Sequence, residues 1–466
     1  MKPSPRLVTI LRRLLLGVAT LATLLAVFVV VENWRGDRAW AAVDRELKAK
    51  GESLDFATFQ PPAVPDDQNF FKAPLLSRIL YLRPDDAEQK KLLAESHLMD
   101  FHVLGSFRST VKDFAALRDA LKKSGRWTAP FTESAAADVL VAMQPMQPLL
   151  DAVRDAARLR PHAALERFST QFERFSTFSA DEVFRTAQAL GVRAAAEVEL
   201  GRIDDAYADI FALQRMANAL STHPATLLNH LVGVAMHGLA AGVISDGCQR
   251  HLWSDARLAK FQSLLDGLQP LAAFRDAIRV ERAGVVSVVD SRTKSTADGF
   301  NWPWWLFHGW VQQNKVVYCQ RLDAELLSSF TANPDRIHTL HSAPAKREKL
   351  SAVAMLLSPF QVVSRLGISN LGSILAGLGT SAENLRLASI AWSLERHRLA
   401  RNRNPESLAE LVPAFLPAVP IGIFDGQPFR YLKLPDGGHK VYALGQNGRD
   451  DGGKDDDIVL SLPDVK

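Results

Sequence analysis

The sequence predicts a mainly α-helical protein with an N-terminal transmembrane helix, a large helical body and a small C-terminal α+β module. Three features of the 466-residue chain indicate this fold class. Leu14 to Val31 is an apolar run without charge or proline. Asp85 to Leu268 is rich in the helix formers Ala, Leu, Arg and Glu, with almost no strand-like alternation. Strand and turn signals are confined to the C-terminal part, where we expect a long helix on a three-stranded antiparallel sheet.

These features divide the chain into four predicted parts. They are a membrane anchor (1–34), a juxtamembrane helix with a proline-rich linker (35–72), the helical body (73–379) and the C-terminal module (380–466). A hydrophobic content of 47% is sufficient for sizeable cores. The formal net charge is only +4, and no dense Lys/Arg stripe interleaves with aromatic residues. Nucleic acid is therefore not expected as a partner.

The apolar run is about long enough to cross the hydrocarbon core of a bilayer as one helix. The basic residues in front of it favour a cytoplasmic N-terminus; they are Lys2, Arg6, Arg12 and Arg13. We therefore expect an uncleaved signal-anchor that spans the cell membrane once, with a periplasmic or otherwise extracytoplasmic body. The alternative is a signal peptide cleaved near Ala39-Trp40-Ala41, but that site lies far beyond the apolar run.

The body contains a segment that resembles a tetratricopeptide-type helical hairpin. Ala194 to Leu220 reads as a helix, a turn at Gly201 and a second helix with Ala206 and Ile210 one turn apart. No second copy follows at the expected spacing. The segment therefore predicts helix packed on helix without predicting a repeat array.

Three further stretches of the body are apolar or aromatic. Leu227 to Ser245 and Ala352 to Leu378 are interrupted by polar residues, so we expect buried helices and no further membrane spans. Asn301 to Trp310, "NWPWWLFHGW", holds four tryptophans. Tryptophan is enriched at bilayer interfaces and at binding surfaces as well as in cores. Core packing, membrane or partner contact and a ligand pocket all remain open for this run.

The polar residues of the body match no known catalytic motif. His223, His230 and His237 recur every seven residues, but the last two would lie about 10 Å apart along a helix, too far to share one ion. We expect satisfied or solvent-facing histidines. A solvated face is expected for a set of five acidic residues, namely Glu197, Glu199, Asp204, Asp205 and Asp209.

Two more pairs of residues in the body raise structural questions. Glu281 and the adjacent Arg282 could form a buried ion pair. Cys248 and Cys319 are the only cysteines, and either one disulfide or two buried thiols fits the sequence.

The C-terminal module has clear local signals. Ser381 to Asn402 has helical spacing, and Ser381 could cap this helix with Glu383 in its first turn. A short helix is expected over Ser407 to Val412. Strands are predicted at Phe429 to Leu434, Lys440 to Leu444 and Ile458 to Leu460, with the first two forming a hairpin.

An acidic loop precedes the last predicted strand. Five aspartates and an asparagine, with four glycines around them, could wrap oxygen ligands round a Ca²⁺ ion; they are Asn447, Asp450, Asp451, Asp455, Asp456 and Asp457. If the segment is extended, Asp455 and Asp457 point to one side and Asp456 to the other. The alternative is a solvated acidic turn without a ligand.

From Ser381 onward the chain resembles the globular domain of the type II secretion major pseudopilin. The shared stretches are "LERHRLARNRNPESLAELV", "FLPAVPIGIFDGQPFRYL" and "KVYALGQNGRDDGGKDDDI". The resemblance implies a structural calcium site with side-chain ligands from Asn447, Asp455 and Asp457 and a carbonyl from Leu444. The family's prepilin-peptidase site is replaced here by Arg12-Arg13-Leu14-Leu15, so only the local chemistry of the module is expected to carry over.

Two functions follow from these features. The first is a membrane-anchored, non-enzymatic binding or scaffold protein with a calcium-stabilised module that docks to secretion or other envelope machinery through an envelope protein. The second is a hydrolase-like envelope enzyme with its site in the helical body near Glu281 and the tryptophan run.

Overall fold

The computed structural model describes most of the helical chain and the C-terminal sheet. The described residues are 5–59, 63–80, 90, 113–123, 125, 130–164, 180–221, 226–294, 304–325, 327, 360, 371–435 and 438–462. The helices are α1 (Pro5–Ala49), α2 (Pro74–Leu80), α3 (Phe114–Lys123), α4 (Ala135–Ala142), α5 (Gln147–Leu159), α6 (Ala180–Glu199), α7 (Ile203–Ser221), α8 (Leu227–Gln249), α9 (Asp255–Leu265), α10 (Pro270–Lys294), α11 (Trp304–Glu325) and α12 (Leu371–Arg401). The strands are β1 (Arg430–Lys433), β2 (His439–Ala443) and β3 (Ile458–Leu462). The predicted fold class is confirmed.

The chain forms two compact units. The anchor unit contains residues 1–58, 282–328 and 343–372, and the main unit contains residues 59–281, 329–342 and 373–466. Helix α1 is continuous through residue 34, where the predicted anchor ends, and stops just before Gly51, which has a positive φ of 74°. The predicted juxtamembrane helix is thus the continuation of the apolar helix.

Helix α1 has an apolar stretch that is exposed with respect to the described residues of its unit. The large apolar side chains there, such as Leu21 and Val30, are exposed. The most apolar window of this helix has a mean hydropathy of 2.8 and no buried residue. The helix is long and apolar enough to cross a membrane. Beyond the apolar run, α1 packs along α11, where Val43 and Leu47 are buried.

The core of the main unit is built from helices α2 to α9 and one face of α12. Helices α6 and α7 form the predicted hairpin, with Gly201 in the turn at φ 72° and Ala206 and Ile210 completely buried. Helix α8 is also long and apolar enough to cross a membrane, but 61% of its most apolar stretch is buried in the protein. The prediction that Leu227 to Ser245 forms a buried helix is therefore confirmed. Ala352 to Leu378 lies largely outside the described residues.

Helix α12 has two apolar faces and both are buried. Leu385, Ala388 and Trp392 join the helical core. Leu387, Ile390 and Leu394 join a second cluster with side chains of the sheet, including Phe429, Val441 and Ile458. Each set follows the spacing of one helix face, and a helix that is apolar on opposite sides is expected to be buried on both.

The start of α12 differs from the prediction. The helix begins at Leu371, so Ser381 is not its N-cap, and the Ser381 hydroxyl instead donates to the Gly377 carbonyl at 2.9 Å. Burial of Leu375 and Leu378 outweighs the low helix propensity of the glycines in this stretch. The 3₁₀ helix Leu408–Leu411 occupies the predicted short helix.

The sheet has the order β1-β2-β3 and both pairings are antiparallel. Arg430 pairs with Tyr442 and Lys433 with His439, while Ala443 pairs with Ile458. The three predicted strands and their hairpin are confirmed. The register places the ends of β2 and β3 side by side, and the acidic loop connects these two ends.

Candidate calcium loop and buried ionic groups

The acidic loop is held between two neighbouring strand ends. Because Ala443 pairs with Ile458, the next residues outward, Leu444 and Asp457, face each other across the two strands. Both are buried. Two of the four residues in the predicted ligand set therefore lie at the base of the loop.

Gly445 allows the two sides of the loop to approach closely. A Cβ atom at this position would overlap with the backbone carbonyl of Asp456. A backbone atom cannot move aside as a flexible side chain can, so a side chain at position 445 would force the base of the loop apart. The close approach of the two sides of the loop therefore requires glycine at position 445.

Asp457 has the most distinctive environment in the loop. One carboxylate oxygen, Oδ2, accepts hydrogen bonds from the Asp451 amide at 3.0 Å and the Gly453 amide at 2.9 Å. The other, Oδ1, is buried and has no hydrogen-bond partner. A buried carboxylate oxygen without a partner loses its hydration without compensation. A cation at Oδ1 would supply that compensation.

Asn447 and Asp455 occupy different parts of the loop. The Asn447 side chain donates to Asp451 at 3.0 Å, and its backbone amide donates to Asp456 Oδ2 at 2.7 Å. Asp455 is exposed and has a positive φ of 46°. The segment before β3 is therefore a turn, closed by the hydrogen bond from the Asp457 amide to the Lys454 carbonyl. The expected alternation of Asp455 and Asp457 against Asp456 is wrong because it assumed extended backbone.

Basic and phenolic groups of the sheet contact the edge of the loop. Arg430 pairs with Asp425 at 2.5 Å and lies 3.4 Å from Asp450, and the Tyr442 hydroxyl donates to Asp450 at 3.2 Å. Lys440 donates to the Gly453 carbonyl at 3.2 Å. Burial, together with the bond to Asp450, raises the pKa of Tyr442 above its usual value. These contacts offset part of the loop's negative charge from one side.

The carboxylates of the loop do not converge on one point in this conformation. Among the residues that the structure describes, which include the whole loop, no group of three or more His, Cys, Asp or Glu side chains is placed to hold a metal ion. Oxygen ligands for Ca²⁺ also come from amide side chains and backbone carbonyls. A site here would combine Asp457 with such donors and would need Asn447 to turn from Asp451.

The body contains a buried ionic cluster that the sequence did not indicate. Arg193 of α6 forms a bidentate pair with Asp209 of α7, with N···O distances of 2.6 and 2.7 Å. Arg154 of α5 donates to the same carboxylate at 2.8 Å. Asp209 and Glu197 are almost completely buried, so the predicted solvated face is wrong for these two residues. The burial of Asp209 is compensated by these arginines of two other helices.

Glu197 is held at the margin of this cluster. Its Oε1 lies 3.5 Å from both Arg154 and Arg202, while its Oε2 is buried without a hydrogen-bond partner. Burial and the neighbouring Asp209 carboxylate raise the pKa of Glu197 to about 8. The raised pKa favours the protonated form of this carboxyl group.

Glu383 is a second buried acid that the sequence placed wrongly. It was expected in the first turn of its helix, but it lies in the interior of α12 and accepts a hydrogen bond from the Ile423 amide. Burial raises its pKa to about 7. Glu383 thus connects the loop before β1 to α12 by a hydrogen bond. The sequence does not indicate this contact because Ile423 is 40 residues away.

The two described histidines of the heptad series are buried and face the end of α7. His230 Nδ1 lies 3.3 Å from the Ser221 carbonyl, and His237 Nε2 lies 3.3 Å from the Ser221 hydroxyl. Burial lowers the pKa of His237 to about 3. His223 lies outside the described residues. A pair this deeply buried is suited to core packing.

Glu281 and Arg282 do not pair with each other, which corrects the predicted ion pair. Glu281 accepts a hydrogen bond from the Leu227 amide at the start of α8, and burial raises its pKa. Arg282 is completely buried and pairs with Glu52 and, at 2.9 Å, with Asp323. Adjacent residues on a helix point about 100° apart, so each finds its partner on a different element.

Cys248 and Cys319 are both free and buried. Burial raises the pKa of Cys319 to about 12 and raises that of Cys248 well above its usual value. The two-thiol alternative is the one that the structure contains.

Comparison of the chain with known protein families, with curated proteins and with solved structures gives no match.

Proposed function

We propose that this chain is a single-pass, membrane-anchored extracytoplasmic protein of the binding or scaffold type. One observation carries the proposal: from Leu14 to Val31 every residue of α1 is exposed except the half-buried Val29. Leaving this much apolar surface in water is unfavourable at roughly 25 cal/mol per Å². A bilayer is the environment in which such a helix is stable.

The charges that flank the run support the orientation. Four basic residues and no acidic residue precede it, whereas acidic and basic residues are mixed directly after it, as in Glu32, Arg35, Asp37 and Arg38. Because Lys and Arg are retained on the cytoplasmic side, these charges support a body outside the cytoplasm.

Membrane extraction and protease access test the anchor and its orientation. The full chain should remain in the membrane pellet after alkaline carbonate treatment, and its body should be digested by protease added to spheroplasts. A variant with Leu21→Arg and Leu24→Arg interrupts the run and should be released, which provides the control. Release of the unaltered chain by carbonate, or protection of its body in intact spheroplasts, would contradict the proposal.

We further propose that Ca²⁺ stabilises the C-terminal module. The support is the buried, unpartnered Oδ1 of Asp457 in a loop that holds five aspartates against Arg449 and Lys454. Asp457 would provide the central ligand, with Asn447, Asp455 and the Leu444 carbonyl as further oxygen donors. The bound ion would supply charge neutralisation and fix the turn that leads into β3.

The loop offers a direct assay because trypsin cleaves after Arg449 and Lys454. Calcium should slow cleavage at both bonds in the full chain, and titration calorimetry should detect binding. Asp457→Asn should abolish both effects. The control is Asp255→Asn, which removes an exposed carboxylate outside the loop that pairs with Arg396. This variant should keep the calcium protection from trypsin and the calorimetric signal. The absence of a calorimetric signal at millimolar calcium would refute this part of the proposal.

The resemblance to the pseudopilin globular domain suggests a role for the stabilised module. We propose that it docks to an envelope protein, with secretion machinery as the first place to look. Affinity purification from solubilised membranes, with and without calcium, would test this. Partners that depend on calcium and are lost with Asp457→Asn would support it.

A further inference from the structure

Helices α1 and α11 run parallel with a constant register. The Gly309 amide donates to Asn33 Oδ1 at 2.7 Å, and His308 Nε2 lies 2.7 Å from Asp37. Further along, Lys315 Nζ lies 3.9 Å from the centre of the Trp40 ring. Lys50 and Asp323 are 3.8 Å apart near the other end of the pair. From Asn33 with Gly309 to Lys50 with Asp323, the partner numbers rise along both helices, so the two helices point in the same direction.

Two glycines fix this register. A Cβ atom at Gly36 would lie 2.6 Å from the Gly309 Cα, and one at Gly309 would overlap with the Glu32 carbonyl. The backbones of α1 and α11 are therefore in direct contact at this point. Small residues at a helix crossing let the two backbones approach more closely than larger residues allow.

The register places the start of α11 beside the end of the apolar run. Trp304 precedes Gly309 by five residues, and Val31 precedes Gly36 by five residues. At 1.5 Å per residue, each lies about 7.5 Å from the glycine crossing in the same direction. The first turn of α11 is thus level with the last turn of the run that would span the bilayer.

The residues in that turn have the composition of a membrane interface. From Trp304 to Phe307 the sequence is Trp-Trp-Leu-Phe, without a charged residue, and the Phe307 side chain is 40% exposed. Tryptophan concentrates where hydrocarbon meets headgroups because its ring is apolar and its N–H is polar. His308, the next residue of α11, pairs with Asp37 of α1, and this polar pair is suited to the aqueous side.

We propose that the first turn of α11, Trp304 to Phe307, lies in the interface of the bilayer that α1 spans and forms a second lipid contact of this protein. The inference rests on the proposed membrane anchor. It adds that the first turn of α11 contacts lipid, so that the anchor unit is held at two points and cannot rotate freely about α1.

Photocrosslinking in native membranes tests the inference. The photoreactive amino acid p-benzoylphenylalanine is introduced into the full chain at Phe307, at Leu21 or at Gln320, and crosslinking to radiolabelled phospholipid is measured. Leu21 lies within the apolar run. Gln320 is exposed on the same helix as Phe307 but about 20 Å further along it. We expect adducts at positions 21 and 307, and several-fold less at 320.

The outcomes separate the two proposals. Labelling at 21 without labelling at 307, or equal labelling at 307 and 320, overturns the interface contact and leaves the anchor intact. No labelling at 21 refutes the anchor and the inference together. Replacement of Phe307 by another aromatic residue preserves the local chemistry, so misfolding does not confound the readout.

Discussion

The buried carboxyl group of Glu197 makes a quantitative prediction about stability and pH. The side chain is 2% exposed, and its pKa is about 8 in the folded protein against 4.5 for the free side chain. Below about pH 4.5 both the folded and the unfolded chain hold the proton, so Glu197 contributes no pH dependence. Between about pH 4.5 and 8 the unfolded chain releases the proton and the folded chain retains it. Stability therefore falls as the pH rises through this window.

The size of the effect follows from the pKa difference. One pKa unit corresponds to about 1.4 kcal/mol, so the penalty is about 3 kcal/mol at pH 7 and about 5 kcal/mol above pH 8. Glu197→Gln replaces the protonated acid by a neutral side chain of the same shape. The free energy of unfolding of the variant should therefore rise by this amount relative to that of the unaltered chain as the pH rises from about 5 to 8.

The assay is urea unfolding of the full chain in detergent at several pH values, followed by tryptophan fluorescence. Glu199→Gln is the matched control because Glu199 lies two residues away on the exposed side of the same helix and pairs with Arg250 at 2.6 Å. An exposed pair of this kind contributes at most about 1 kcal/mol. Infrared spectroscopy should also show a protonated carboxyl band that Glu197→Gln removes. The reasoning is refuted if the free energies of unfolding of Glu197→Gln and the unaltered chain differ by a constant amount between about pH 4.5 and 8.

Two further predictions concern the anchor unit and the thiols. Gly309→Ala should destabilise the packing of α1 on α11 by about 1–3 kcal/mol, because its Cβ atom overlaps with the Glu32 backbone. Gly17→Ala, which meets nothing within 4 Å, should not lower the thermal midpoint measured by circular dichroism, and equal midpoints for the two variants would contradict the close crossing. Cys248 and Cys319 should resist iodoacetamide at neutral pH until the protein is unfolded, since both are buried with raised pKa values. Rapid alkylation of either thiol in the native protein, measured by mass spectrometry, would show that it is accessible.

The sequence predicted the elements whose signals are local. The apolar helix, the hairpin turn at Gly201 and the three strands each depend on residues close together in the chain, and the structure contains all of them. The start of α12 was missed because Ser381 was taken as the N-cap, whereas Leu375 and Leu378 before it are buried in the helix. Local propensity yields to tertiary burial in such cases.

The candidate sites were harder to predict for the same reason. The buried state of Asp209 depends on Arg154, which lies 55 residues away and whose pairing leaves no trace in the spacing of the acids. In the acidic loop, the sequence identified the candidate ligand residues but did not predict the conformation of the backbone that carries them. The turn at Asp455, with its positive φ, redirects the carboxylates in a way that an alternating pattern cannot anticipate.

Helix α12 has a consequence for how this protein can be divided. One face completes the helical core through Trp392, and the opposite face completes the sheet cluster through Ile390. A truncation before residue 371 would leave a hole in the first core, and an excised fragment that starts there would carry a bare apolar stripe into solvent. Chimaeras that exchange the C-terminal sheet should therefore be joined after Arg401, so that the graft supplies new strands to a helix that stays in place.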